Sequence, residues 1–233
     1  MDALSDFPIT RRWPTKHPDR LQLYSLPAPN GVKAAIMLEE IGLEYEAHRV
    51  DFGKRDQHTP EFLSLSPYGK VPAIIDPNGP SGRPLGLFES AAILQYLADK
   101  SGQLLPADAN ARWECLAWLA FQVAGTGPMF GQVGYFKKFD GAAVEDPRPL
   151  ERYASESAKL LRILDARLEG RVWIMGDDYS IADIAHLSMI RNLIGFYDAR
   201  DHVGFDALKH VPAWLDRWLE RSAVQRGLEV CGA

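Results

Sequence analysis

The chain has 233 residues, 46% hydrophobic and 24% charged, with a formal net charge of −5. That composition excludes a disordered chain, and the acidic balance excludes the basic stripe a nucleic-acid binder needs. No apolar run approaches the roughly 18–20 residues of a membrane span, so neither nucleic acid nor membrane is expected as a partner.

Cys115 and Cys231 stand far apart and no C-x-x-C occurs. This rules out a disulfide framework or a cysteine-based zinc cluster and suits the reducing cytoplasm. The histidines show no ligand spacing, so no metal is expected. Arg11-Arg12 is followed by no apolar segment of a signal peptide. Residues 1–20, with Pro8, Pro14 and Pro18, are read as an extension, ordered only where it packs on the body.

From residue 21 the pattern becomes regular. Gln22–Leu26 is a strand candidate closed by Pro27-Ala28-Pro29-Asn30-Gly31. Val32, Ala35, Ile36 and Leu38 to Ile41 then recur at helical spacing, with Gly42 placed for a left-handed cap. Tyr45–Phe52 reads as a second strand, and Thr59-Pro60 as a helix start. Val71-Pro72 precedes the apolar run Ala73–Ile75. A proline there removes a ladder donor, so it belongs at a strand's first residue or an edge. Asp76-Pro77-Asn78-Gly79 is a turn, Leu85–Phe88 a fourth strand, and Ser90–Lys100 a helix stopped by Gly102.

Beyond residue 103 only helical patterns continue. Asn110–Gln122 carries Trp113, Leu116, Ala117 and Ala120; Pro149–Leu168 carries Tyr153, Leu160, Leu161, Ile163 and Leu164; Val211–Leu219 carries Trp214, Leu215 and Trp218. Gly125–Phe139, rich in aromatics and glycine, reads as an interruption after the first of these helices. Tyr179-Ser180-Ile181-Ala182-Asp183-Ile184 is a capping box with Asp in place of Glu, a folding device rather than a site. The expected organisation is an α/β domain over 21–103, in the order β-α-β-α-β-β-α, then an all-helical domain over 108–228.

A small domain of that order, with Val-Pro before its third strand and Glu-Ser opening its last helix, resembles the thioredoxin-like domain of glutathione transferases. The Ser-Ile-Ala-Asp box in a helical second domain resembles their C-terminal half. More narrowly, Tyr24 to Gly31, Gly53 to Gln57, Gly127 to Gln132 and Glu151-Arg152-Tyr153 resemble the bacterial Nu class, best known as glutathione-dependent disulfide-bond reductases. The resemblance implies a homodimeric enzyme that takes glutathione and a small disulfide or electrophilic acceptor, with conjugation or peroxidase activity alongside. A non-catalytic glutathione-binding or scaffolding role on the same fold is the alternative.

It also implies roles for particular residues. Val71, before a cis proline, pairs with the cysteinyl backbone of glutathione; Glu89 and Ser90 take the γ-glutamyl end; Gln57 is a further contact. Arg152 reaches the site of the neighbouring subunit. Asn30, at the start of the first helix, is the catalytic donor to sulfur. The threonine usual in the Nu class two residues before this asparagine is Ala28 here. The turn carries no cysteine, so any attacking sulfur belongs to glutathione. Tyr24 and Ser25 fall inside the strand and are read as strand residues.

Overall fold

The computed structural model describes residues 4–232. They fall into two compact units: one ends at Ser101 and resumes at Ser222, and the other is Gly102–Arg221.

The first unit is built on a four-stranded sheet in the order β2-β1-β3-β4, from β1 (Leu21–Ser25), β2 (Tyr45–Arg49), β3 (Ala73–Asp76) and β4 (Leu85–Phe88). All residues of β1 and β3 are buried, as the two central strands must be, while β2 and β4 form the edges. β1 runs parallel to β2 and antiparallel to β3, which runs antiparallel to β4. The C-terminal ends of β1, β2 and β4 and the N-terminal end of β3 therefore share one edge of the sheet.

The helices of this unit are α1 (Ile9–Arg12), α2 (Gly31–Ile41), α3 (Pro60–Leu63) and α4 (Ser90–Ser101). α2 joins the parallel pair and ends on Gly42 at φ 65°, the left-handed cap the sequence indicates. The β3–β4 turn is pinned to α4 through buried Asp76. Its carboxylate accepts from the Asn78 N–H at 2.8 Å and from the Tyr96 hydroxyl at 2.5 Å, and pairs with Lys100 at 2.8 Å. Burial alone would raise the pKa of Asp76, but these donors hold it below the usual carboxylate value.

The described part of the N-terminal extension is packed onto this unit. Leu4 and Ile9 are fully buried in a cluster with Tyr24, Val50, Phe62, Leu65, Val71, Ala73 and Ile75. Trp13 sets its ring edge-on to Tyr24 and Phe62, at 5.8 and 6.2 Å, and donates Nε1–H to the Arg49 carbonyl at 3.0 Å. Arg12 pairs with Asp56. Leu4, Phe7, Ile9 and Trp13 follow neither a helical nor a strand period, so periodicity gives no sign of this packing.

A helix beyond the second unit also belongs here. α10 (Ser222–Glu229) lies on α2, with Gly227 so close that a Cβ there would stand 2.7 Å from the Ile36 Cα. Arg226 pairs with Glu39 at 2.6 Å. The helical domain expected to run to 228 thus gives up its last helix: the small residues Ala223 and Gly227 fit it to α2.

The second unit contains α5 (Ala109–Phe121), α6 (Gly127–Lys138), α7 (Arg148–Arg167), α8 (Ile181–Ile194) and α9 (Val211–Leu219). α5 buries Cys115 and Leu119 and leaves Trp113 71% exposed, so its inward face is turned away from the one the apolar spacing suggests. The expected interruption at Gly125–Phe139 is helical instead. A single π-turn, Gln122–Thr126, leads straight into α6, with Pro128 in its first turn, where no ladder donor is required. Phe130 and Val133 point inward, while Tyr135 and Phe139 stay exposed. Gly134 is obligatory, because a Cβ there would meet the Tyr197 ring at 2.3 Å.

The capping box forms as read, with a wider role. Asp183 is fully buried, and its oxygens accept from the Ser180 N–H and hydroxyl (2.9 and 2.8 Å), the Ile174 N–H (2.9 Å) and the Trp214 indole (3.0 Å). One carboxylate thus ties the start of α8 to α9. Burial pushes its pKa up to about 6 against these donors.

Candidate functional site

The shared edge of the sheet is where the expected residues assemble. Four connections leave or enter it: β1 to α2 with Asn30, the loop after β2 with Gln57, the entry to β3 with Val71-Pro72, and the exit of β4 into α4 with Glu89 and Ser90. The pairing Ala73↔Phe88 brings the entry of β3 alongside the exit of β4, and Tyr24↔Ala73 brings the end of β1 alongside both. The topology thus gathers residues up to 60 positions apart in sequence along one rim.

At the entry to β3 the Val71–Pro72 bond is cis. The ladder begins at Ala73, so the peptide groups of Val71 lie beyond its end. The preceding turn is held by the Ser66 hydroxyl, which donates to the Lys70 carbonyl at 2.8 Å. Gly69, at φ 66°, approaches the Gln57 carbonyl so closely that a Cβ would stand 2.9 Å from it; only glycine meets both demands. Gln57 carries a buried side-chain oxygen, Oε1, with no hydrogen-bond partner in the protein. Such a group is normally satisfied by a hydrogen-bond partner.

At the exit of β4, Glu89 adopts φ 71°, a left-handed conformation that costs a non-glycine residue on the order of 1–3 kcal/mol. Its carbonyl accepts the Ile93 N–H at 3.0 Å and so starts α4. The carboxylate stays exposed, while Ser90 is buried on the first helical residue. A helix start offers unpaired amides and partial positive charge to an anion, and an adjacent carboxylate suits an ammonium. The rim therefore matches a zwitterionic group.

The β1–α2 turn is compact: the Ala28 N–H reaches the Leu26 carbonyl at 2.7 Å and the Val32 N–H the Ala28 carbonyl at 3.0 Å. Asn30 is the residue before α2, yet its side chain does not cap the helix. Its Oδ1 accepts instead from Lys33 Nζ at 2.8 Å. Lys33 is 1% exposed. Burial pulls its pKa down to about 7, with Glu89 acting in the opposite direction. Sequence reading passed over Lys33. The available signal was a lysine inside the run Val32 to Leu38, every residue of which is buried.

Other residues lie elsewhere. Tyr24 and Ser25 are buried in β1, the Tyr24 ring stacked 4.7 Å from His48. Lys70 is exposed, with Nζ over the Tyr68 ring. Arg152 is on α7 in the second unit, its side chain 74% exposed and 4.0 Å from Glu156. Among the described residues no group of three His, Cys, Asp or Glu side chains is placed to hold a metal ion, and no helix is long and apolar enough to cross a membrane.

A mixed four-stranded sheet with a cis-proline entry to β3 and a helix starting directly after β4, together with a helical second unit, defines a thioredoxin-like domain with an all-helical companion. Family models agree: residues 19–99 match the glutathione S-transferase N-terminal domain and residues 134–222 its C-terminal domain. The chain belongs to the glutathione S-transferase family. It is 46% identical over 166 residues to the disulfide-bond oxidoreductase YfcG of Escherichia coli (71% of this chain, 76% of that protein). To the disulfide-bond oxidoreductase YghU of the same organism it is 39% identical over 220 residues (91% and 74%). Among solved structures, a glutathione transferase from Pseudomonas putida with one glutathione disulfide bound per subunit is 62% identical at TM-score 0.96, covering 98% of this chain and 99% of that one. A family member from Pseudomonas fluorescens with two glutathione molecules bound is 60% identical, also at TM-score 0.96, covering 97% and 100%.

Proposed function

We propose that this chain is a cytoplasmic, homodimeric, Nu-class enzyme that binds glutathione along the sheet rim and reduces small disulfides with it. The observation that carries the reading is the convergence of four connections on one edge, each offering a group complementary to part of one peptide. Val71 offers an N–H and a C=O beyond the ladder for the cysteinyl backbone. Ser90 and the amides at the start of α4 receive the γ-glutamyl carboxylate, and Glu89 its ammonium. Gln57 contributes its unpartnered oxygen. The names of the Escherichia coli relatives and the glutathione-bound Pseudomonas structures support the same ligand and reaction.

Bound glutathione supplies a thiol which, once ionised, attacks one disulfide sulfur; the S–S bond breaks and the other sulfur leaves as a thiolate. A second glutathione thiolate resolves the mixed disulfide, leaving the substrate reduced and glutathione as its disulfide. The protein's part is to orient that thiol and favour its anion. A free thiol titrates near pH 8.5, and a helix start with a hydrogen-bond donor lowers this. Asn30 provides the donor through its side-chain amide, and the amides around Gly31 provide the helix start. Ala28 offers no hydroxyl, which leaves the asparagine as the side-chain donor of this turn. Arg152 is assigned to the rim of a second copy of the chain.

The test is disulfide turnover by the Asn30→Ala variant. The proposal expects turnover to fall at least tenfold with glutathione binding retained. Unchanged turnover would remove Asn30 from the mechanism. Retention on immobilised glutathione, with no turnover of disulfides, peroxides or activated aryl halides by the unmodified protein, would establish the non-catalytic binding role instead.

A further inference from the structure

We propose that Lys33 is a positioning residue: it fixes the side-chain amide of Asn30 with its oxygen inward and its N–H₂ turned toward the bound sulfur. The inference rests on the glutathione reading above and adds to it a residue that makes the asparagine a donor.

The argument begins with the inventory of the two side chains. A carboxamide has one oxygen that accepts and one nitrogen that donates, and by shape alone either orientation fits. A lysine ammonium only donates. Nζ donates to Asn30 Oδ1 at 2.8 Å, so Nδ2 with both hydrogens faces the other way. The common alternative for a residue at this position is to turn the oxygen onto the helix amides as a cap, and Asn30 makes no such bond. Lys33 holds the oxygen that capping would have used.

A lysine is an unusual residue for this position. Lys33 is 1% exposed, and a buried ammonium is retained only when paired. It also stands in the first turn of α2, where a cation opposes the helix dipole. Neighbouring Val32, Ala34, Ala35, Ile36, Met37 and Leu38 are all buried apolar residues, so an apolar side chain would suit the position better. The field of Glu89, at the start of α4, favours the Lys33 ammonium. Arg226, on the α10 helix packed against α2, is engaged with Glu39 instead. One lysine thereby links the donor at the β1–α2 turn with the carboxylate at the β4–α4 exit, the two ends of the proposed peptide site.

The experiment follows the thiol of bound glutathione by the ultraviolet absorbance of its thiolate as pH is varied. It uses the full-length protein and the variants Lys33→Met, Lys33→Gln, Asn30→Ala and the double variant Asn30→Ala/Lys33→Met. Lys33→Met, of similar volume and uncharged, is expected to fold and to bind glutathione. Its thiol titration should rise by about one pH unit, a tenfold loss of thiolate at a fixed pH below the midpoint. Lys33→Gln, which keeps an N–H donor for the Asn30 oxygen, should restore most of that shift. In the Asn30→Ala background the lysine change should add nothing. A Lys33→Met titration matching the parent's, or a shift that adds in full to that of Asn30→Ala, overturns the proposal. Failure of the unmodified protein to bind glutathione overturns the underlying reading, and is seen before any lysine variant is compared.

Discussion

Gly31 and Leu26 close the β1–α2 turn so tightly that a Cβ on Gly31 would lie 2.0 Å from the Leu26 carbonyl oxygen and 2.7 Å from Ser25 Oγ. The Leu26 oxygen belongs to the backbone and cannot rotate aside, so any side chain at 31 must push the turn open. Gly31→Ala is therefore expected to move Asn30 away from the rim. The measurements are disulfide turnover, which should fall by more than tenfold, and thermal unfolding, which should show a loss of about 1–3 kcal/mol as overpacking does elsewhere. A variant with native turnover would mean that the turn relaxes without moving Asn30.

Asp183 carries a structural load of a different kind. Removing its carboxylate in Asp183→Ala strands four buried donors: the Ile174 and Ser180 amides, the Ser180 hydroxyl and the Trp214 indole. Each unsatisfied buried group costs about 1–3 kcal/mol. The variant should lose about 3–5 kcal/mol in denaturant unfolding, well above the roughly 1 kcal/mol of a simple helix cap. A loss near the lower figure would show that Asp183 acts only as the cap.

Acid should unfold the protein partly through Asp76 and Asp56. In both, burial opposes ionisation but hydrogen bonds prevail and hold the folded pKa down: from Lys100, Tyr96 and Asn78 for Asp76, and from Arg12 and the Asp51 amide for Asp56. Below the ordinary carboxylate value the unfolded chain then binds more protons than the folded one, so their stabilisation is present above about pH 4 and is lost as pH falls further. Thermal midpoints measured downward from neutral pH should drop in that range. Asp76→Asn should start lower and show a shallower acid dependence; an unchanged acid slope would exclude Asp76 as a source.

Much of this fold was legible because its signals are local. Gly42 as a left-handed cap, Thr59-Pro60 as a helix start and the Ser180–Asp183 box all act within one turn of chain, and each forms where the residues suggest. What escaped depends on distant partners. The inward face of α5 is set by neighbours that bury Cys115 and leave Trp113 exposed, and no periodicity within the helix reports which neighbours those are. The π-turn at Gln122–Thr126 is tied to α8 by His186, whose Nε2–H reaches the Trp118 carbonyl at 3.0 Å and whose Nδ1 meets the Thr126 hydroxyl at 3.1 Å. That contact bridges 60 residues of sequence. Lys33 was hidden for the same reason: a lysine in a helix reads as solvated until its burial is known.

The N-terminal segment yields the last prediction. Ile9 shares its cluster with Val71, the residue assigned to the cysteinyl backbone, and with Ala73 and Ile75 of the strand that follows. Phe7 lies against Gly86 of β4, where a Cβ would stand 2.9 Å from its ring. The extension thus backs the entry to β3 on the rim and the middle of β4 behind it. Ile9→Ala should destabilise the protein by about 2–5 kcal/mol, the usual penalty for such a cavity. If the segment also holds the rim in place, glutathione affinity should weaken severalfold at a temperature where the variant remains fully folded. Calorimetric titration alongside circular dichroism separates the two effects. Lost stability with native affinity would make the extension a covering for the core alone, and lost affinity in a folded variant would make it part of the site's support.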